Sequence, residues 1–100
     1  MSSPSDVVVD ALQVRDLLEL VLDVCSRRGV LLHELCGRLR SQGITGARHE
    51  AWWRIHHHPE RSYSLSEIAR LFGRDPSTVL AGVRAHAHRL REPDRSPEVT

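Results

Sequence analysis

The stretch SLSEIARLFGRDPSTV, residues 64–79, decides the fold. Its first four residues have capping-box spacing: the Ser64 hydroxyl can accept a backbone N–H while the Glu67 carboxylate reaches back to the cap. Leu65, Ile68, Ala69 and Leu71 or Phe72 then recur at helical steps, so a short helix with one apolar face ends at Gly73. Asp75 and Pro76 signal a second start, because Asp caps a helix and Pro at its first turn gives up an N–H that lacks an intrahelical partner anyway. Val79, Leu80, Val83, Ala87 and Leu90 carry this second helix to Arg91. Two helices joined by so tight a turn, "GRD", have helix-turn-helix spacing.

Working outward, the same periodicity predicts three more helices. Ala11, Val14, Leu18, Val21, Leu22 and Cys25 form a stripe for one helix over residues 6–28, with Asp6 and Asp10 at its positive end and Gly29 as its stop. "VLLHELCGRLR" reads as a second, with Leu31, Leu32, Leu35 and Leu39 inward, and "SQGITG" as the loop that follows. A helix over residues 47–57 turns Ala51, Trp52 and Ile55 to the core, leaves Trp53 for another neighbour or water, and is closed by Pro59. No strand-like alternation and no internal repeat is present. The expected fold is all-α, a compact bundle of about five helices: a disordered lead at residues 1–5, one helical domain at 6–91 with the helix-turn-helix at 65–91, and a flexible proline-broken tail at 92–100.

One hundred residues suffice for one modest core, and with four Phe, Trp or Tyr residues in all, that core must be built mainly of Leu, Val and Ala. The net charge of +1 is unevenly laid out: residues 1–24 balance to −4, residues 25–91 to +7 and the tail to −2. A basic middle favours a polyanion partner. All 14 basic residues are Arg, whose planar fork suits phosphate and guanine. No apolar run is long enough for a membrane span, and the first residues lack the layout of a signal peptide, so a cytoplasmic, nucleoid-associated protein is expected.

In a helix-turn-helix the second helix enters the major groove N-terminus first. Its early side chains here are Ser77, Thr78, Ala81 and Gly82, with Arg74 immediately before, able to fork onto guanine or grip a phosphate. Arg27, Arg28, Arg38 and Arg40 sit near helix ends, where they are either solvated or phosphate clamps. Cys25 and Cys36 lie in apolar helical patterns as buried thiols, which favours a reducing compartment. Seven histidines, among them His56, His57 and His58, lack the spacing of a tetrahedral site; no metal, cofactor or catalytic group is expected.

Residues 47–90 resemble the C-terminal DNA-binding domain of the bacterial replication initiator DnaA, whose recognition signature is similar to S-L-x-E-I-G-x-x-F-G-G-R-D-H-[ST]-T-V. Ser64, Leu65, Glu67, Ile68, Phe72, Gly73, Arg74, Asp75, Ser77, Thr78 and Val79 match it as they stand. The resemblance implies a DnaA C-terminal, Trp-repressor-like helical fold that binds double-stranded DNA. It places Arg74, Asp75, Ser77 and Thr78 on the major-groove surface and assigns Arg48 to the minor groove. With the capping Ser64, the groove-edge Pro76 and Arg84 along the last helix, these are the candidate DNA contacts. Pro76 stands where the family has histidine, one turn glycine is missing, Ala69 replaces a glycine, and no phosphate-binding G-x-x-x-x-G-K-[ST] loop exists for ATP. The expected function is sequence-specific duplex binding by a small transcriptional regulator, of phage-like or mobile-element genes. A protein partner or homodimer is expected through the first helix. Origin binding in competition with the initiator, and an adaptor that kept the fold without DNA affinity, are the rivals.

Overall fold

Helix α4 (Gln42–His56) is the centre of the molecule. The computed structural model describes residues 4–91 and is entirely helical in its regular structure over them: α1 (Pro4–Val14), α2 (Leu18–Arg28), α3 (Leu32–Cys36), α4, α5 (Leu65–Phe72) and α6 (Pro76–Arg91). α4 packs on α2, α3, α5 and, most extensively, α6, while α1 lies against α2, α3 and α5. The interior is aliphatic, with Leu12, Leu17, Val21, Leu35, Ile55, Ile68 and Val79 fully enclosed. Burying one such side chain stabilises the fold by about 1.5 to 3 kcal/mol. Trp52 and Phe72 join this core edge to face, their rings 6.0 Å apart.

Several helix boundaries differ from the sequence-based expectation. The first helix is two, so the described residues contain six helices rather than five. Asp16 takes φ 62°, a left-handed conformation that Asp tolerates better than most residues. Around it the Asp16 N–H donates to the Gln13 carbonyl at 3.1 Å and the Leu17 N–H to that of Leu12 at 2.9 Å, closing α1. The break swings Leu17 into the core and leaves Val14 82% exposed and Leu22 42% exposed, so these two leave the expected stripe. Val8, Leu12 and Val24 replace them. The second helix is cut to one turn and a half, and Leu31 and Leu39 face solvent. "SQGITG" is no loop: Ser41 caps α4, its hydroxyl accepting from the Ile44 N–H at 3.3 Å, so the two glycines fall inside the helix. Pro4 and Ser5, expected in a disordered lead, belong to α1, while the rest of that lead and the expected tail lie outside the described residues.

Two devices lock α4 to its neighbours. At Gly82 a Cβ would lie 2.7 Å from His49 Cδ2 and from Trp52 Cε3, so α6 crosses α4 where only glycine fits. Glu50 of α4 is buried but paired with Arg28, Nε to Oε1 at 2.5 Å, and with Arg27, both in the last turn of α2. Burial pushes the Glu50 pKa up, and the two guanidiniums more than reverse this, holding the carboxyl below its ordinary range.

Candidate nucleic-acid interface

The turn between α5 and α6 is built as its residues dictate. Ser64 and Glu67 form a reciprocal capping box, with Glu67 N to Ser64 Oγ at 3.1 Å and Ser64 N to Glu67 Oε1 at 2.8 Å. Arg61 steadies the Glu67 carboxylate from outside at 3.0 Å. Gly73 adopts φ 63° and ends α5, and the Arg74 N–H then donates to the Ala69 carbonyl at 2.8 Å. Those are the bonds of a left-handed helix cap, and they turn the chain straight into α6. One turn glycine is therefore enough here.

The first turn of α6 projects Asp75, Pro76, Ser77 and Thr78 to solvent, while Val79 is the anchor beneath them. The Asp75 carboxylate accepts from the Ser77 N–H at 3.1 Å and from the Ser77 hydroxyl. Those bonds keep Asp75 ionised, with its pKa below the usual carboxylate range. Ala81 and Arg84 continue the exposed stripe from Ser77 at helical steps of four and three residues.

Arg48 and Arg74 behave differently from these exposed groups. Arg48 is buried in α4, and its guanidinium caps the end of α3, donating to the carbonyls of Leu35 at 2.8 Å, Glu34 at 2.9 Å and Gly37 at 2.8 Å. Arg74, half-buried, donates to the same Gly37 carbonyl. The segment between α3 and α4 is thus tied both to α4 and to the turn of the helix-turn-helix. Arg38 and Arg40 stand exposed on it, close enough to weaken the charged forms of Arg48 and Arg74, though desolvation is the larger cause at both. The four arginines make no ion pair with an acid among the described residues. Between this segment and the start of α6 runs an open groove of about 290 Å³, with Arg40 and Thr45 along one part of its lining and Arg74 and Thr78 along another. The sequence places Arg38 and Arg40 only as charges near a helix end; that the chain folds back beside Arg74 was not visible in it.

Among the described residues no group of three His, Cys, Asp or Glu is disposed to hold a metal ion. His56 is bonded through Nδ1 to the Tyr63 carbonyl at 2.7 Å, and His57 stacks on Trp53 with ring centres 4.5 Å apart. Cys25 and Cys36 are free and buried, and burial pushes the Cys36 thiol up to about 12. Such a thiol is a poor nucleophile. No helix of the described residues is long and apolar enough to cross a membrane.

With a capped helix, a one-glycine turn and a second exposed helix start, residues 19–85 match the family described as the bacterial dnaA protein helix-turn-helix. The chain belongs to that family. The match takes in α2 from its second residue, all of α3, α4 and α5, and α6 to Ala85, so α1 of this DnaA-type domain lies outside it. No curated protein and no solved structure matches the chain.

Proposed function

We propose that this DnaA-type domain binds double-stranded DNA in a sequence-specific manner, laying the start of α6 in the major groove. One observation carries it: a DnaA-family helix-turn-helix whose second helix presents Asp75, Pro76, Ser77 and Thr78 to solvent, flanked by four arginines that form no ion pair with an acid among the described residues. Arg74 supplies the bidentate base contact once it exchanges the Gly37 carbonyl for a guanine edge, and Asp75 either accepts from cytosine or holds Ser77 in place. Pro76 offers an apolar surface without an N–H, which fits a target different from the initiator's. Arg84 lies farther along the same stripe and meets phosphate. Ser64 contributes by capping α5 beside the groove. Arg48 would have to release three carbonyls to reach a base in the minor groove, so its part is to hold the segment that carries Arg38 and Arg40.

A single reading helix covers a short site, so regulation of transcription by this protein needs a partner or a second copy. α1 is the surface for it, acidic at Asp6 and Asp10, outside the family match, and showing Val7 and Val14 to solvent. The place of action is the nucleoid, at genes of phage-like or mobile origin. Fluorescence anisotropy with mixed-sequence duplexes at two salt concentrations tests the DNA contact: affinity should fall steeply with salt, and no binding at either concentration would leave an adaptor. Immunoprecipitation across a genome then shows enrichment at promoters, as proposed, or at an origin.

A further inference from the structure

Where α1 meets the ends of α3 and α5 an open groove of about 210 Å³ remains. Its walls are carbon and sulphur: Val8 from α1, Cys36 from α3, and Leu71 and Phe72 from α5. Burial pushes the Cys36 thiol up to about 12, so that wall stays uncharged. Two arginines edge the apolar lining, Arg38 and Arg70, both exposed and neither in an ion pair among the described residues. A dry apolar cavity of about 150 Å³ takes up benzene, so a space of this size suits a ring or a short alkyl chain. Guanidiniums at its edge suit a carboxylate, whose two oxygens match their fork of donors. Val7, on the edge, and Val8 precede the family match, which starts at residue 19, so the groove exists only with a helix that the match leaves out.

We propose that this groove binds a small aromatic or aliphatic carboxylic acid, its apolar body against Val8, Leu71 and Phe72 and its carboxylate on Arg38 and Arg70. A peptide is the poorer guest, because the lining is confined to one end each of α1, α3 and α5 and does not run along a helix. The site lies behind the reading turn. Leu71 and Phe72 lead into Gly73 on the groove's edge, and Arg38 follows Gly37, whose carbonyl holds Arg74. A bound acid that engages Arg38 takes one cation from the face offered to DNA, so it lowers affinity for duplex. That consequence, unlike the binding itself, rests on the DNA-binding reading above.

The test titrates the free chain with phenylacetate, indole-3-acetate and hexanoate, with phenylacetamide as the uncharged control, and follows backbone amide resonances. At least one acid should give saturable shifts centred on Val8, Leu71 and Gly73, and should bind about tenfold or more tightly than the amide, as a charge-assisted contact predicts. Arg70→Gln should weaken that acid by about tenfold for the same reason. Val7→Phe places a larger side chain at an exposed edge position, where it fills the groove without entering the core, and should abolish binding. No saturable shift with any of the three acids, equal affinity for acid and amide, or full affinity in Arg70→Gln would each overturn the site. Shifts at these amides from an acidic, leucine-bearing peptide and from none of the acids would overturn it too, and would give the groove to a protein partner. With duplex present, saturating acid should lower DNA affinity severalfold; undiminished affinity would remove the link to DNA and leave the binding site. If no duplex binds, the DNA reading falls, and the titration of the free chain still decides the groove.

Discussion

Arg48, which the resemblance assigns to the minor groove, has a task of its own in the free protein. There its guanidinium donates to the carbonyls at the end of α3. Arg48→Met removes three hydrogen bonds from a charged, buried donor, leaving the Gly37 carbonyl to Arg74 and that of Glu34 to the Gly37 N–H, a loss of about 2 to 4 kcal/mol of stability without any DNA present. Thermal unfolding of the free variant checks this; an unchanged midpoint with weakened DNA binding would return Arg48 to the groove. Arg74 is the converse, half-buried but at the turn itself. Arg74→Ala should cost about 1 to 3 kcal/mol in discrimination between a selected and a scrambled duplex. An equal loss on both sequences would make it a phosphate clamp instead.

At the scale of elements, the helix-turn-helix was almost fully legible, because each of its signals is local. Ser64 with Glu67, Gly73, and Asp75 with Pro76 act within three or four residues, and the structure uses them as caps and turn. The N-terminal half was less legible, since its decisive events are tertiary. Nothing next to Asp16 marks a break; the chain bends there because burying Leu17 outweighs continuing one helix that would keep Val14 inside. Likewise the glycines of "SQGITG" read as loop, yet both sit in α4; Gly46 lies beneath the Arg28 and Arg89 side chains, while Gly43 faces open space. The α4–α6 crossing sets where the reading helix points. Gly82→Ala would press a methyl onto Trp52 and His49, costing about 1 to 3 kcal/mol of stability, and it should lower duplex affinity because α6 is pushed off α4. A variant that unfolds at the wild-type temperature would show that the crossing has slack.

For the whole molecule, pH is the informative variable. His49 and His86 lie partly or wholly buried between α4 and α6, and desolvation lowers the pKa of each, helped by nearby arginines and, at His86, opposed by Glu50. A histidine with a folded pKa below its unfolded value of about 6.5 binds its proton more readily when the chain is unfolded. Its stabilising effect is therefore complete above that value and is lost as pH falls towards the folded pKa. Stability should decline from about pH 6.5 downward, and His86→Leu should flatten that slope. Below the ordinary carboxylate range a second decline is expected, as Glu50 takes a proton and releases Arg28 and Arg27. Denaturant titrations at stepped pH check both; a flat profile down to pH 5 would contradict the buried, neutral histidines.

The molecule as a whole joins an acidic α1 and an arginine-bearing helix-turn-helix face on one small core, and that face is proposed to read DNA sequence. Selecting duplexes from a random pool and measuring affinity for the selected and a scrambled duplex, each at two salt concentrations, tests it most directly. The selected duplex should bind about a thousandfold tighter or more, with both affinities falling as salt rises. A pool that never enriches, or equal affinity for the two duplexes, would contradict it.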